Sequence, residues 1–176
     1  MILFRGIVAV LILAGCEQAE ITQPPIMVVP TDRAGSSGID VYARDRARGN
    51  PVPVFRGQDN VPIRTFGNLD GTGYAEIEGI QCNLDSGLYS VSFVTPANIA
   101  VPDYGSNSPA IFVRCVNGAT SGSITVEAYN VTSTQRHNSA IGTGLLGAIV
   151  IGAVAAANVD NSNDEFGYPP VVVQIR

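Results

Sequence analysis

Apolar and polar residues alternate with a period of two in several short runs along the middle of the chain. The runs are 38–44, 89–93, 111–115 and 124–128, and glycine, proline, asparagine and aspartate separate them. Strands with one apolar and one polar face are typical of antiparallel sheets, and a spacing of about ten residues is typical of a sandwich. The pattern therefore predicts an all-β fold, an antiparallel β-sandwich, over residues 33–135.

An apolar run without this alternation opens the chain. Residues 1–15 contain Arg5, then an apolar stretch from Gly6 to Leu13, then small residues. A stretch of this length is too short to cross a bilayer as a mature helix and is typical of a signal peptide. We therefore expect residues 1–15 to be removed during export.

The residues that follow this run carry a family resemblance. The segment 13–16 reads Leu-Ala-Gly-Cys and resembles the lipobox of bacterial lipoproteins. The resemblance implies that Cys16 becomes the mature N-terminus and carries acyl chains such as palmitate, which hold it in a membrane. In that family Glu17, rather than Asp, favours the outer membrane facing the periplasm over the inner membrane. Residues 16–32 would then form a lipid-anchored tether. The alternative is an ordinary secretory signal with a chance cysteine.

The remaining cysteines fit the same compartment. Without Cys16, the chain keeps Cys82 and Cys115, an even number in a protein routed to an oxidising space. A disulfide between them would close about 34 residues. Because Cys115 lies on the apolar side of its run, we expect the bond to link the two sheets. The alternative is two buried thiols. Two cysteines and one histidine do not complete a tetrahedral metal set, so no metal or cofactor is expected.

A second resemblance lies within the predicted sandwich. The segments 45–53, 65–77 and 87–91 resemble bacterial immunoglobulin-like domains of the invasin and intimin type, whereas the long segment 96–109 departs from that family. The resemblance implies an immunoglobulin-like sandwich with an adhesive or spacing role. Such modules have no catalytic residues to carry over.

The segment from residue 140 to residue 157 is almost wholly apolar or glycine. Eighteen residues in a helix reach about 27 Å, slightly less than a bilayer core. Small residues recur every fourth position and resemble a glycine zipper, which favours close helix packing. We predict a C-terminal apolar helix over residues 139–158 that inserts in a membrane or self-associates; a helix packed on the domain and a sandwich strand are the alternatives. The association residues are Gly144, Ala148, Gly152 and Ala156.

The last part of the chain, residues 159–176, is predicted to be an acidic loop followed by a final strand. The acidic stretch 160–165 has the composition of a solvated loop. A strand after the apolar segment favours a segment that returns to the domain or never crosses a membrane.

The charge of the chain and its candidate catalytic residues limit the classes of function that it could have. Only 14% of residues are charged and the net charge is −5, which argues against nucleic-acid binding. His137 is the only imidazole, and no G-x-S-x-G motif occurs. We therefore expect no enzymatic activity.

The sequence as a whole predicts a bacterial cell-envelope lipoprotein with a structural or interaction role. It would be anchored to the membrane through its N-terminal lipid and would form a homo-oligomer or bind an envelope protein through the zipper. A glycan or cell-wall binding module using Tyr104, Asn107 or Tyr129 is the alternative. A hydrolase that depends on His137 is a remote third.

Overall fold

A computed structural model describes residues 18–68, 71, 73–141 and 160–176. Two five-stranded sheets pack face to face, and a two-stranded ribbon stands beside them. The predicted all-β sandwich class is confirmed. The strands are β1 (Ile26–Met27), β2 (Val29–Pro30), β3 (Gly57–Gly67), β4 (Ala75–Glu76), β5 (Gln81–Asp85), β6 (Tyr89–Val94), β7 (Ala97–Asp103), β8 (Ile111–Asn117), β9 (Thr120–Val126), β10 (Tyr129–Asn130), β11 (Phe166–Gly167) and β12 (Val171–Ile175), and the α-helices are α1 (Ala43–Ala47) and α2 (Val131–Ile141).

The strand order separates the two sheets. The first sheet has the order β1-β7-β3-β12, with β4 paired to β3, and the second has the order β2-β6-β5-β8-β9. Most pairs are antiparallel, but β12 runs parallel to β3 and β1 runs parallel to β7. Backbone hydrogen bonds between Ser121 and Arg176 join the two sheets along one side, where β9 meets the end of β12.

The alternation seen in the sequence places the core between the sheets. Along β8 and β12, every second side chain is buried and the others face solvent. Burying one face of each sheet removes the apolar side chains from water, which is the main favourable term in folding. The core includes the fully buried Val61, Ile63, Leu84, Ile99, Val113 and Val173.

Cys82 and Cys115 form the predicted disulfide. The expectation that it links the two sheets is wrong. The two residues are directly opposite each other on the neighbouring strands β5 and β8, and their Cα atoms lie 4.0 Å apart. The bond therefore ties two strands of one sheet on the side that faces the core.

The alternating run 38–44 does not form the predicted strand. It makes a single bridge and a turn and then enters α1. Asp40 explains the difference, because its carboxylate accepts hydrogen bonds from the backbone of Tyr42 and from the guanidinium of Arg46. Side-chain bonds of this kind compete with a strand ladder.

The sandwich begins before residue 33. The two short strands β1 and β2 pair with the first and second sheets in turn, and Val28 between them is buried. Residues 26–32 of the segment predicted as a tether, 16–32, thus belong to the folded domain.

Helix α2 starts at Val131, within the range predicted for the sandwich and before residue 139. Asn130 sets this start, because its side-chain oxygen accepts a hydrogen bond of 2.7 Å from the backbone of Ser133 in the first helical turn. Most of the predicted apolar helix, with Gly144, Ala148, Gly152 and Ala156, lies outside the described residues. In the part of the chain that the structure describes, no helix is both long and apolar enough to cross a membrane.

The sandwich has two distinct ends along β3. At the start of β3 the β10–β11 ribbon lies against Asp59; we call this the ribbon end. At the finish of β3, Phe66 pairs with Glu76 of β4; we call this the hairpin end. Phe66 lies seven positions after Asp59 in β3. In an extended strand this separation corresponds to a distance of about 23 Å.

Candidate functional site

The two ends of the apolar segment meet at the ribbon end. Asn130 of β10 pairs with Phe166 of β11, so the strands that precede and follow the apolar segment in the chain are adjacent. The backbone of Val131 donates to the carbonyl of Glu165 (2.9 Å), and the backbone of Glu165 donates to the hydroxyl of Thr132 (2.9 Å). These bonds join the start of α2 to the residues just before β11, and we call this junction the base of the apolar segment.

Asp164 holds this base together. Its carboxylate accepts hydrogen bonds from the side-chain amide of Asn130 (2.8 Å), the backbone of Asp160 (3.0 Å) and the guanidinium of Arg136 (2.8 Å). The amide of Asn130 is the largest influence that keeps the pKa of Asp164 below its usual value. We call Asn130, Arg136, Asp160 and Asp164 the clamp.

The expectation of a solvated acidic loop over 160–165 is only partly right. Asp160 and Glu165 are exposed, but the side chain of Asp164 is 1% exposed. The composition of the run did not reveal the buried member, because its partners Asn130 and Arg136 come from a distant part of the chain. Burying a carboxylate is favourable only when such donors surround it.

Arg56 attaches the clamp to the sandwich. Its guanidinium donates to the carbonyls of Asp164 (2.9 Å) and Asn161 (2.6 Å). A Cβ atom added at Gly105 would lie 2.6 Å from this guanidinium, and Gly105 has a positive φ of 62°. Glycine is therefore required there for two independent reasons.

The clamp limits how the apolar segment can be arranged relative to the domain. Residues 160–176 include β12, which pairs with β3 inside the first sheet. A single passage through a bilayer between α2 and β11 would leave these residues on the opposite side from the rest of the sandwich. Residues 160–176 therefore lie on the same side of any membrane as the rest of the sandwich.

An acidic pocket lies beneath the ribbon. Asp59, Asp103 and Glu165 line a cavity of about 430 Å³ together with Tyr168. Burial raises the pKa of Asp59 to about 6, and the negative charges of Asp103 and Glu165 add to the effect. A Cβ atom on Gly167 of β11 would lie 3.4 Å from the Asp59 carboxylate, so the ribbon covers it closely. Across the described ranges, no group of three or more histidine, cysteine, aspartate or glutamate side chains is arranged to hold a metal ion.

Two buried tyrosines, Tyr89 and Tyr168, pack against each other inside the ribbon end. The hydroxyl of Tyr168 donates to the carbonyl of Pro109 and lies 3.5 Å from the hydroxyl of Tyr89. Burial raises the pKa of Tyr168 to about 12, so both phenols stay neutral around pH 7. They contribute packing and hydrogen bonds rather than charge.

Of the three residues predicted for glycan binding, one is buried in the domain. Tyr104 is 1% exposed, and its hydroxyl bonds to the carboxylate of Asp40 (3.1 Å) and to the backbone of Val41 (2.9 Å). It is therefore unavailable to a ligand. Asn107 and Tyr129 are exposed.

The structure does not describe the side chains of two further predicted residues, Cys16 and His137. Cys16 lies outside the described residues. His137 lies on α2, but its side chain is outside the description.

The first described residues are fixed at the hairpin end. The backbone of Ala19 donates to the Glu76 carboxylate (3.1 Å), whose second oxygen pairs with the guanidinium of Arg64 (2.6 Å). Both charged side chains are largely buried, at 17% exposure for Arg64 and 11% for Glu76. The chain is thus held to the domain three residues after Cys16.

Comparison with protein-family models, with curated proteins and with solved structures finds no match for this chain.

Proposed function

We propose that this protein is a bacterial envelope lipoprotein whose β-sandwich holds an apolar segment in place for association with a partner. The observation that carries the proposal is the clamp, which joins the residues on either side of the apolar segment at one end of the sandwich. A segment with fixed ends loses less conformational freedom on binding than a free tail. The role is structural, with a second copy of the chain or an envelope protein as partner.

The anchor is supported by the sequence. Residues 1–15 have the charge, length and apolar run of an export signal, and the Leu-Ala-Gly-Cys segment places Cys16 at the expected cleavage point. Several acyl chains on Cys16, each CH₂ contributing about 0.8 kcal/mol, would make membrane attachment effectively permanent. Glu17 favours the outer membrane, facing the periplasm.

The disulfide supports the same location. Cys82 and Cys115 are paired on neighbouring strands, and such bonds form and persist in oxidising compartments such as the periplasm. This compartment is also the one that the lipobox implies.

The association surface is tested by crosslinking the full chain in native membranes. Gly144→Leu with Gly152→Leu places bulky side chains on the row of small residues. We expect the crosslinked oligomers or heterocomplexes to disappear, because the helices can no longer approach closely. Gly142→Leu with Gly147→Leu is the matched control, since both glycines lie off that row. Unchanged crosslinking in the first variant contradicts the proposal.

The anchor is tested separately by fractionation. Cys16→Ser removes the only proposed lipidation site, and we expect the protein to move from the membrane to the soluble fraction. If it stays in the membrane, the same change is made together with Gly144→Leu and Gly152→Leu. Retention of that triple variant, in protein whose mass shows that residues 1–15 have been removed, shows that neither feature attaches the protein and contradicts the proposal.

A further inference from the structure

We propose that the hairpin end of the sandwich faces the anchoring membrane and that the ribbon end, with the base of the apolar segment, points away from it. The partner surface at the hairpin end is the lipid headgroup layer. This inference rests on the proposed lipidation of Cys16.

The chain between Cys16 and Ala19 is too short to reach the far end of the domain. Ala19 is bonded to Glu76 at the hairpin end, and Cys16 lies three positions before it in the chain. Three residues span at most about 11 Å when fully extended. The ribbon end lies about 23 Å further along β3. The lipidated residue can therefore reach only the hairpin end.

Charge distinguishes an upright domain from one lying on its side. The pocket and the clamp at the ribbon end carry five acidic side chains and two arginines, whereas the hairpin end carries three acidic side chains and two arginines. An anionic lipid surface therefore repels the ribbon end more strongly. The ribbon-end groups are Asp59, Asp103, Asp160, Asp164 and Glu165 with Arg56 and Arg136, and the hairpin-end groups are Glu20, Glu76 and Glu78 with Arg64 and Arg176.

The hairpin end also presents apolar side chains to its surroundings. Tyr74 is 58% exposed and stacks on Phe66, with ring centroids 5.9 Å apart. Val94 and Val116 are exposed on the neighbouring strand ends. A tyrosine with one apolar face and one polar tip suits the boundary between headgroups and acyl chains. These groups meet the membrane when the domain stands on its hairpin end.

In this orientation the sandwich separates the base of the apolar segment from the lipid anchor. The clamp holds the base of the apolar segment at the ribbon end. In this orientation the ribbon end is the end of the domain that is farther from the lipid anchor. The sandwich then acts as a spacer between the anchoring leaflet and the place where the apolar segment leaves the domain. The base of the apolar segment then lies about 23 Å further from that leaflet than the hairpin end does.

Energy transfer to the membrane tests the orientation. The chain contains no tryptophan, so a single introduced tryptophan is an unambiguous donor. Ala119→Trp lies in the exposed β8–β9 turn at the hairpin end, and Ser106→Trp lies at an exposed position of the ribbon end. The full-length lipidated variants are reconstituted in liposomes that contain dansyl-labelled phosphatidylethanolamine. We expect transfer from position 119 to exceed transfer from position 106 by at least about twofold, because the two ends differ in height by most of the length of β3.

A second pair protects the test against a folding defect. Glu78→Trp and Gln58→Trp are exposed at the hairpin and ribbon ends respectively, and should give the same ranking. Equal or reversed transfer in protein that floats with the liposomes overturns the orientation and leaves the anchor intact. Protein that fails to float overturns the lipid anchor and the orientation together.

Discussion

Arg136 and Asp164 bridge the base of the apolar segment, with Nη2 of the arginine 2.8 Å from Oδ1 of the aspartate across 28 residues of chain. The arginine is 55% exposed and the aspartate 1% exposed. An ion pair with one exposed partner contributes little by itself. The hydrogen bonds to the buried carboxylate matter more, because removing their acceptor leaves several donors unpaired at once.

Loss of the Asp164 carboxylate should open the clamp. In Asp164→Ala, the donors on Asn130, Arg136 and Asp160 lose their shared acceptor. We expect trypsin to cleave after Arg136 several times faster, with the product identified by mass. Asn161→Ala is the control, because the side chain of Asn161 is exposed and only its carbonyl binds Arg56. Equal cleavage rates in the two variants and the parent contradict the role given to Asp164.

Gly122 is predicted to be essential for the contact between β9 and β12. A Cβ atom there would lie 2.0 Å from the backbone oxygen of Gln174, which cannot move without breaking the first sheet. We expect Gly122→Ala to lower the free energy of unfolding by about 1–3 kcal/mol, the usual effect of overpacking. Urea denaturation measures it. Ser123→Ala, on the exposed face of the same strand, should change stability by less than about 0.5 kcal/mol.

The disulfide should stabilise the fold by restricting the unfolded chain. Cys82 and Cys115 are separated by 33 residues, and closing such a loop contributes roughly 3.5 to 4 kcal/mol in the chain-entropy estimate. Replacing both cysteines with alanine should lower the denaturation midpoint accordingly. Reductant should shift the parent protein in the same direction and leave the double variant unchanged. A parent protein whose midpoint does not respond to reductant contradicts the prediction.

Asp59 should make the domain more stable as the pH falls toward 4. Burial raises its pKa to about 6 in the folded state, above the ordinary value of an aspartate, so the folded protein binds this proton more tightly than the unfolded chain. The stability that the proton contributes is fully present below the unfolded value and is lost as the pH rises through about 6. Asp59→Asn should remove this dependence and raise the melting temperature at pH 7. Glu78→Gln, at an exposed position, should leave it in place.

The sequence predicted the parts of this structure that depend on local alternation. The alternation of apolar and polar residues correctly predicts two strands, one with Tyr89, Val91 and Phe93 and one with Ile111 and Val113. In such strands every second side chain faces the core, so the residue order alone indicates them. The run 38–44 has the same pattern but folds differently. The carboxylate of Asp40 binds the nearby backbone and Arg46, and alternation does not register such bonds.

Long-range contacts account for what the sequence did not predict. The pairing of Cys82 with Cys115 followed from counting cysteines, but their position within one sheet depends on the register of β5 against β8. The clamp depends on Asn130, which both starts α2 and donates to Asp164. An asparagine before a helix is a recognisable cap in the sequence, whereas its bond to a residue 34 positions away is not.

The most direct test of the central proposal is the intact mass of the protein extracted from membranes of a bacterium that expresses it. We predict a chain that starts at Cys16, without residues 1–15, and carries the added mass of a diacylglycerol group and an acyl chain. Cys16→Ser should abolish this species. A chain that keeps residues 1–15, or one that starts elsewhere with an unmodified cysteine, would contradict the lipid anchor on which the account rests.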